Sequence, residues 1–169
     1  SGSVAVKREP VELSALIERQ LALDAPLLEQ RNQRLVKDLT PGIVVIGDAS
    51  LLGRVAGNLL SNASLYSPEG AEVRVWCGLL DGRPALTVEN TEAHISEKAL
   101  PHLFEAFYRE ETSRNRATGG SGLGLYLVKM ILARHGAECT IENTEDGVRA
   151  AVRFETDAVS GLAAGNMIG

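Results

Sequence analysis

Two strand pairs in this chain are each closed by a tight turn containing Asp-Gly, and helical stripes separate them. Residues 71–80 and 84–89 flank Asp81-Gly82, and residues 137–142 and 147–154 flank Glu145-Asp146-Gly147. Such turns reach positive φ at little cost and send the chain back antiparallel. Hairpins of this kind exclude a strictly parallel βαβ sheet. One helical stripe runs through Leu13, Leu16, Ile17, Leu21, Leu23, Leu27 and Leu28, with Pro26 expected to kink or break it. A second runs to about residue 65, with Asp48 as N-cap and Leu51, Leu52, Val55, Leu59, Leu60 and Ala63 as its buried face. A third is expected at 122–135, and a short helix near 96–107. Residues 9–13 read as an extended lead, and 34–39 and 43–46 as strands about the turn Thr40-Pro41-Gly42. The pattern predicts an α+β fold, a two-layer α/β sandwich. In it a mixed sheet of about five strands is covered on one face by three helices.

A chain of 169 residues suits one domain with a real core. That domain is expected at 11–155. Residues 1–10 read as a tag remnant and linker, because Ser1-Gly2-Ser3 has that character, and the small, glycine-rich 156–169 read as a fraying tail. Net charge is −5, so a general polyanion-binding surface is not expected, and nucleic acid is not an expected partner. Cys77 and Cys139 lack metal spacing and read as reduced, buried thiols, which fits a reducing cytoplasm. No apolar run reaches membrane-spanning length, and no signal peptide is visible.

The segment Thr118-Gly119-Gly120-Ser121-Gly122-Leu123-Gly124-Leu125 packs four glycines into six residues and leads into an amphipathic helix. A glycine turn at a helix start leaves N–H groups unpaired, with the positive end of the dipole behind them, which makes an anion site. A plain flexible loop has the same composition, so the remaining chain must supply a metal ligand and a pocket. Asn58 and Asn62 supply the first. Four residues apart, both amides project from one helical face and interrupt an apolar surface. An amide oxygen is a hard neutral ligand suited to Mg²⁺. Tyr66 follows one turn later and offers an aromatic face to a base.

The run Asn58-Leu59-Leu60-Ser61-Asn62-Ala63-Ser64-Leu65-Tyr66-Ser67-Pro68 resembles the N box of sensor histidine kinases. Phe104-Glu105-Ala106-Phe107-Tyr108-Arg109 resembles their F box, and Gly120-Ser121-Gly122-Leu123-Gly124-Leu125 their G2 box. Order and spacing agree, and the likeness runs from about residue 10 to 154. The lid is similar to that of the vancomycin-resistance sensor type, from Glu105-Ala106-Phe107-Tyr108-Arg109 through Ser113-Arg114-Asn115-Arg116 to the glycines. The resemblance implies a Bergerat-type ATP site. Asn62 would ligate Mg²⁺ and Asn58 would support metal and phosphates. Tyr66 would pack on adenine, and Arg109 and Arg114 would reach the phosphates. Asn90, Ile95, Gly120, Gly122, Leu123, Gly124 and Leu125 would complete the nucleotide site, with Asn58 and Arg109 serving catalysis. An arginine cluster at 109, 114 and 116 on a loop of an acidic domain suits a bound polyanion.

Three departures stand out. The G1 box of the family reads Asp-x-Gly-x-Gly, where this chain has Asn90-Thr91-Glu92-Ala93-His94. Asn90 can accept a hydrogen bond from an adenine amino group without charge assistance, a loss of roughly 1 kcal/mol. With both glycines replaced, the backbone is expected to take an ordinary conformation, and His94 reads as a replaced glycine at the pocket rim. Leu65 stands where many relatives place a cation near the phosphates. Asn58 stands where related ATPases carry a glutamate general base, and an amide takes no proton at neutral pH. Hydrolysis is thereby disfavoured and transfer to an external acceptor favoured.

None of His94, His102 and His135 lies in the Ser-His-Glu-Leu-Arg-like run that carries the family's phospho-acceptor. The resemblance therefore implies the catalytic half of a protein-histidine kinase, inactive alone. Its expected partners are its own dimerisation and phospho-acceptor domain and a response regulator. The fragment is expected to be monomeric and the parent a homodimer, the domain lying in the cytoplasm under a membrane-anchored bacterial sensor. The altered G1 box keeps an alternative open, a degenerate domain that docks and regulates without turnover. A free-standing ATPase is a third reading.

Overall fold

In chain order the elements are β1 (Glu9–Glu12), α1 (Leu13–Gln30), β2 (Arg34–Leu39), β3 (Ile43–Gly47), α2 (Ala49–Tyr66), β4 (Glu72–Leu80), β5 (Arg83–Thr91), α3 (Gly124–Ala133), β6 (Ala137–Asn143), β7 (Gly147–Phe154) and β8 (Val159–Ser160). They are those of a computed structural model, which describes residues 5–109 and 122–155, and 159–160 as backbone. The main sheet has the order β2-β4-β5-β7-β6. Its β2–β4 pair is parallel and the other three pairs are antiparallel, so the sheet is mixed, with five strands as expected.

Strand period 2 explains the core. Val73, Val75 and Cys77 of β4, Leu86 and Val88 of β5, and Val152 of β7 are buried on one face of the sheet, where Leu16, Ile17 and Leu21 of α1, Val55, Leu59 and Leu60 of α2, and Val128 and Leu132 of α3 join the same cluster. Fully burying one such side chain contributes about 1.5–3 kcal/mol. The opposite face is polar. Arg74, Glu89, Arg149 and Glu142 occupy one rung across four strands in alternating charge, joined by ion pairs. β1 and β8 flank β3 in a separate small sheet, which the sequence did not announce.

One turn and one helix cap behave as read. Asp81 and Gly82 hold φ of 52° and 80°, closing the β4–β5 hairpin. Asp48 caps α2 by accepting from the Leu51 N–H at 3.2 Å. It also accepts from the Lys7 N–H at 3.1 Å. These backbone donors, Lys7 first and then Leu51, hold its carboxyl below the usual aspartate value. The Asp48 N–H donates to His135 Nε2 at 3.0 Å, and the other ring nitrogen, Nδ1, donates to the Ile131 carbonyl at 2.9 Å. The buried imidazole thus ties the start of α2 to the end of α3.

Two expectations are corrected. α1 runs through Pro26 without a break. Pro26 is exposed, so the Ala22 carbonyl that it leaves without an N–H partner faces water. The helix expected at 96–107 is a single 3₁₀ turn, Leu100–His102. Pro101 cannot donate to a preceding turn, and the Ser96 hydroxyl takes the Ala99 N–H at 3.1 Å, so a regular ladder does not propagate.

Candidate functional site

A cavity of about 660 Å³ opens between α2, the sheet and the start of α3, a size common for small-molecule sites. Val88, Ile141, Val148 and Ala150 give it an apolar floor on the sheet. Asn90, also on β5 and two residues beyond Val88, adds one buried side-chain amide. Asn58, Asn62, Leu65 and Tyr66 line the wall formed by α2. Tyr66 is 41% exposed, leaving a ring face open at the mouth.

The two α2 amides converge on one point. A Cβ added to Gly124 would lie 3.7 Å from Asn58 Oδ1 and 3.9 Å from Asn62 Oδ1. Both oxygens therefore face the first turn of α3, and glycine there keeps the space between them open. No side chain caps α3: Leu123 precedes it with a helical backbone and no capping hydrogen bond. Its first N–H groups and the positive end of its dipole are directed at the same space. Among the described residues, no group of three or more His, Cys, Asp or Glu could hold a metal ion. A cation here would rest on neutral amide oxygens and on the anion it accompanies, which suits Mg²⁺ carried in on phosphates.

Of the residues singled out by sequence, Asn58, Asn62, Tyr66, Asn90, Ile95, Arg109, Gly122, Leu123, Gly124 and Leu125 all line this one cavity. Arg114, Arg116 and Gly120 lie outside the described residues. His94 is exposed and lines the same cavity.

One expectation fails. The backbone after Asn90 is not ordinary, because Glu92 holds φ of 58°. The Glu92 N–H donates to the Asp146 carbonyl at 2.9 Å, and the β6–β7 turn presses against the same segment, so tertiary contacts impose a left-handed residue that sequence assigns to glycine. Gly147 was legible only as a turn residue. A Cβ there would sit 2.0 Å from the Asn90 carbonyl oxygen, so its absence lets β7 close on Asn90. Asn143, which pairs with Ile95, gave no signal at all.

The family described as histidine kinase-, DNA gyrase B-, and HSP90-like ATPase matches residues 47–159. The chain is 35% identical over 147 residues to the sensor protein VanSB of Enterococcus faecalis, which covers 87% of this chain and 33% of the relative. It is 36% identical over 134 residues to the signal transduction histidine-protein kinase BaeS of Escherichia coli, covering 79% and 29% respectively. It thus spans about a third of the length of these curated relatives. Among solved structures, the mycobacterial sensor histidine kinase MprB superposes with a TM-score of 0.75 at 28% identity, over 89% of this chain and 97% of that one. The nucleotide-free catalytic domain of histidine kinase ThkA has the same fold, with a TM-score of 0.77 at 21% identity over 88% and 95%.

Proposed function

Because the chain belongs to the histidine kinase-, DNA gyrase B- and HSP90-like ATPase family, we propose that it is the ATP-binding catalytic domain of a sensor histidine kinase, passing the γ-phosphate of Mg-ATP to a histidine on an adjoining domain. The observation that carries this reading is the convergence of Asn58 and Asn62 on Gly124 across a cavity whose sheet wall holds Asn90. Asn90 would accept from an adenine amino group, and Tyr66 would cover the ring. Asn62 and Asn58 would hold Mg²⁺, which supplies charge neutralisation between the phosphates. Arg109 and the N–H groups opening α3 add positive potential at the same end, and Arg114 and Gly120 are assigned there by motif.

Asn58, at the position where related ATPases carry a glutamate base, favours transfer over hydrolysis. Asn58 cannot deprotonate water, and phosphoryl transfer to a strong nucleophile needs positioning and charge neutralisation more than proton removal. The acceptor is a histidine on the parent's own dimerisation domain, and the phosphoryl group passes on to a response regulator. The domain spans 11–155 in a parent that is a membrane-anchored homodimer, with this part in the cytoplasm. Among the described residues no helix is long and apolar enough to cross a membrane.

Titration calorimetry with millimolar Mg-ATP tests the site, and joining the chain to its upstream domain tests the transfer. Binding, followed by phosphohistidine that Asn62→Ala abolishes, is the expected result. No binding, together with no phosphohistidine in the longer protein, would sink the reading. Steady phosphate release from this chain alone would favour an ATPase instead.

A further inference from the structure

The turn between β6 and β7 grips the loop after β5 at three points. Gly147 lies against its start, where a Cβ would come within 2.8 Å of Thr91 Cα. The Asp146 carbonyl accepts from the Glu92 N–H at 2.9 Å. Beyond these, the Asn143 side chain pairs with Ile95 in both directions. The Ile95 N–H donates to Asn143 Oδ1, and Asn143 Nδ2 donates to the Ile95 carbonyl, each at 2.8 Å. One carboxamide thus satisfies both backbone groups of a residue outside any strand.

The anchor has a rigid base. Asn143 is in register with Val148 across β6 and β7, and Arg74 holds Asp146 to β4 at 3.1 Å. Asn143 itself does not line the cavity, whereas Ile95 does, beside Asn90 and His94. This loop lacks the glycines of the family motif and retains a left-handed residue at Glu92. Its course is therefore held by partners more than by its own backbone preference.

We propose that Asn143 is a positioning residue for recognition of the nucleotide base, acting through Ile95 to fix the rim of the cavity beside Asn90. The inference rests on the nucleotide reading of the site. It separates the base from the phosphates, which are assigned to Asn58, Asn62 and the start of α3.

The test measures Mg-ATP and Mg-tripolyphosphate affinities for the parent chain, Asn143→Ala and Asn143→Asp, with thermal unfolding of each in the absence of ligand. The substitution to Asp keeps the acceptor for Ile95 N–H but sets a carboxylate oxygen against the Ile95 carbonyl. Asn143→Ala loses both hydrogen bonds, and Asn143→Asp loses one and gains a repulsion, so Mg-ATP binding is expected to weaken by roughly tenfold or more in both variants. Tripolyphosphate affinity is expected to stay the same. Equal weakening for both ligands, or none for Mg-ATP, overturns the proposal. Hydrogen exchange in the parent gives a second reading free of any folding defect: the Ile95 amide is expected to exchange slowly, and fast exchange overturns the assignment. A parent that binds tripolyphosphate but not Mg-ATP overturns it as well, while a parent that binds neither removes the nucleotide reading on which it stands.

Discussion

The Phe107 N–H donates to the Gly122 carbonyl at 3.0 Å, and both residues hold left-handed φ, 65° and 80°. This contact fastens the two residues to each other at the edge of the cavity, which Gly122 lines. A Cβ on Gly122 would lie 2.8 Å from Phe107 Cα and 2.9 Å from its carbonyl carbon. Backbone meets backbone there, so no side-chain rotation relieves it. Gly122→Ala is expected to lower stability by about 1–3 kcal/mol and to weaken Mg-ATP binding. Thermal unfolding and calorimetry measure the two effects, and a variant unchanged in both would contradict the fastening.

Replacing either α2 amide tests the metal. Asn62→Ala is expected to weaken nucleotide binding by at least roughly tenfold in Mg²⁺, equivalent to about 1.4 kcal/mol. Chelation of Mg²⁺ should bring the parent down to the level of the variant. An Asn62→Ala protein that still gains affinity from Mg²⁺ as the parent does would place the metal elsewhere.

Glu92 and His94 replace two glycines of the family motif, yet only Glu92 has positive φ. Glu92→Gly removes left-handed strain of about 1–2 kcal/mol, partly offset by the freer unfolded chain. His94→Gly gains nothing in the folded state and is expected to cost about 0.5–1 kcal/mol. Opposite shifts in urea midpoint are the predicted outcome; a lower midpoint for Glu92→Gly would show that Glu92 is not strained.

Asp48 gives a pH dependence. Its folded carboxyl is held below the ordinary value of 3.8 by the Lys7 and Leu51 N–H groups. A depressed pKa contributes stability that is fully present above the unfolded value and lost as pH falls through the folded one. Stability should therefore decline below about pH 4, and Asp48→Asn should flatten that acid limb by lowering stability at neutral pH while leaving it little changed once Asp48 is protonated. Chemical denaturation from pH 6 to 2.5 measures both curves.

Cys77 is fully buried beneath the helices, and burial pushes its thiol up to about 11. It is expected to resist thiol reagents at pH 8 until the protein unfolds. Labelling at the rate of a free cysteine in the native protein would mean that the β4 core opens readily.

Local chemistry made much of this molecule readable. Asp81-Gly82 fixed a hairpin, Asp48 a helix start, and the spacing of Asn58 and Asn62 a shared face, because each depends on residues close in sequence. The unread parts depend on distant partners. Thr40-Pro41-Gly42 reads as a tight turn, yet the strands it joins enter different sheets, since β2 pairs with β4 and β3 with β1. Pro26 reads as a kink or a break, but α1 continues through it, with Pro26 exposed.

By itself the sequence determined the types of the three long helices and the hairpin strands, their inward faces and most of the residues that line the cavity, because periodicity and side-chain chemistry are local properties. Only the tertiary structure decided how the cavity closes. Gly147 against Asn90, Asn143 on Ile95, and the left-handed Glu92 bring together residues far apart or held against their own preference. Their energies come from contacts that exist only after the sheet has formed.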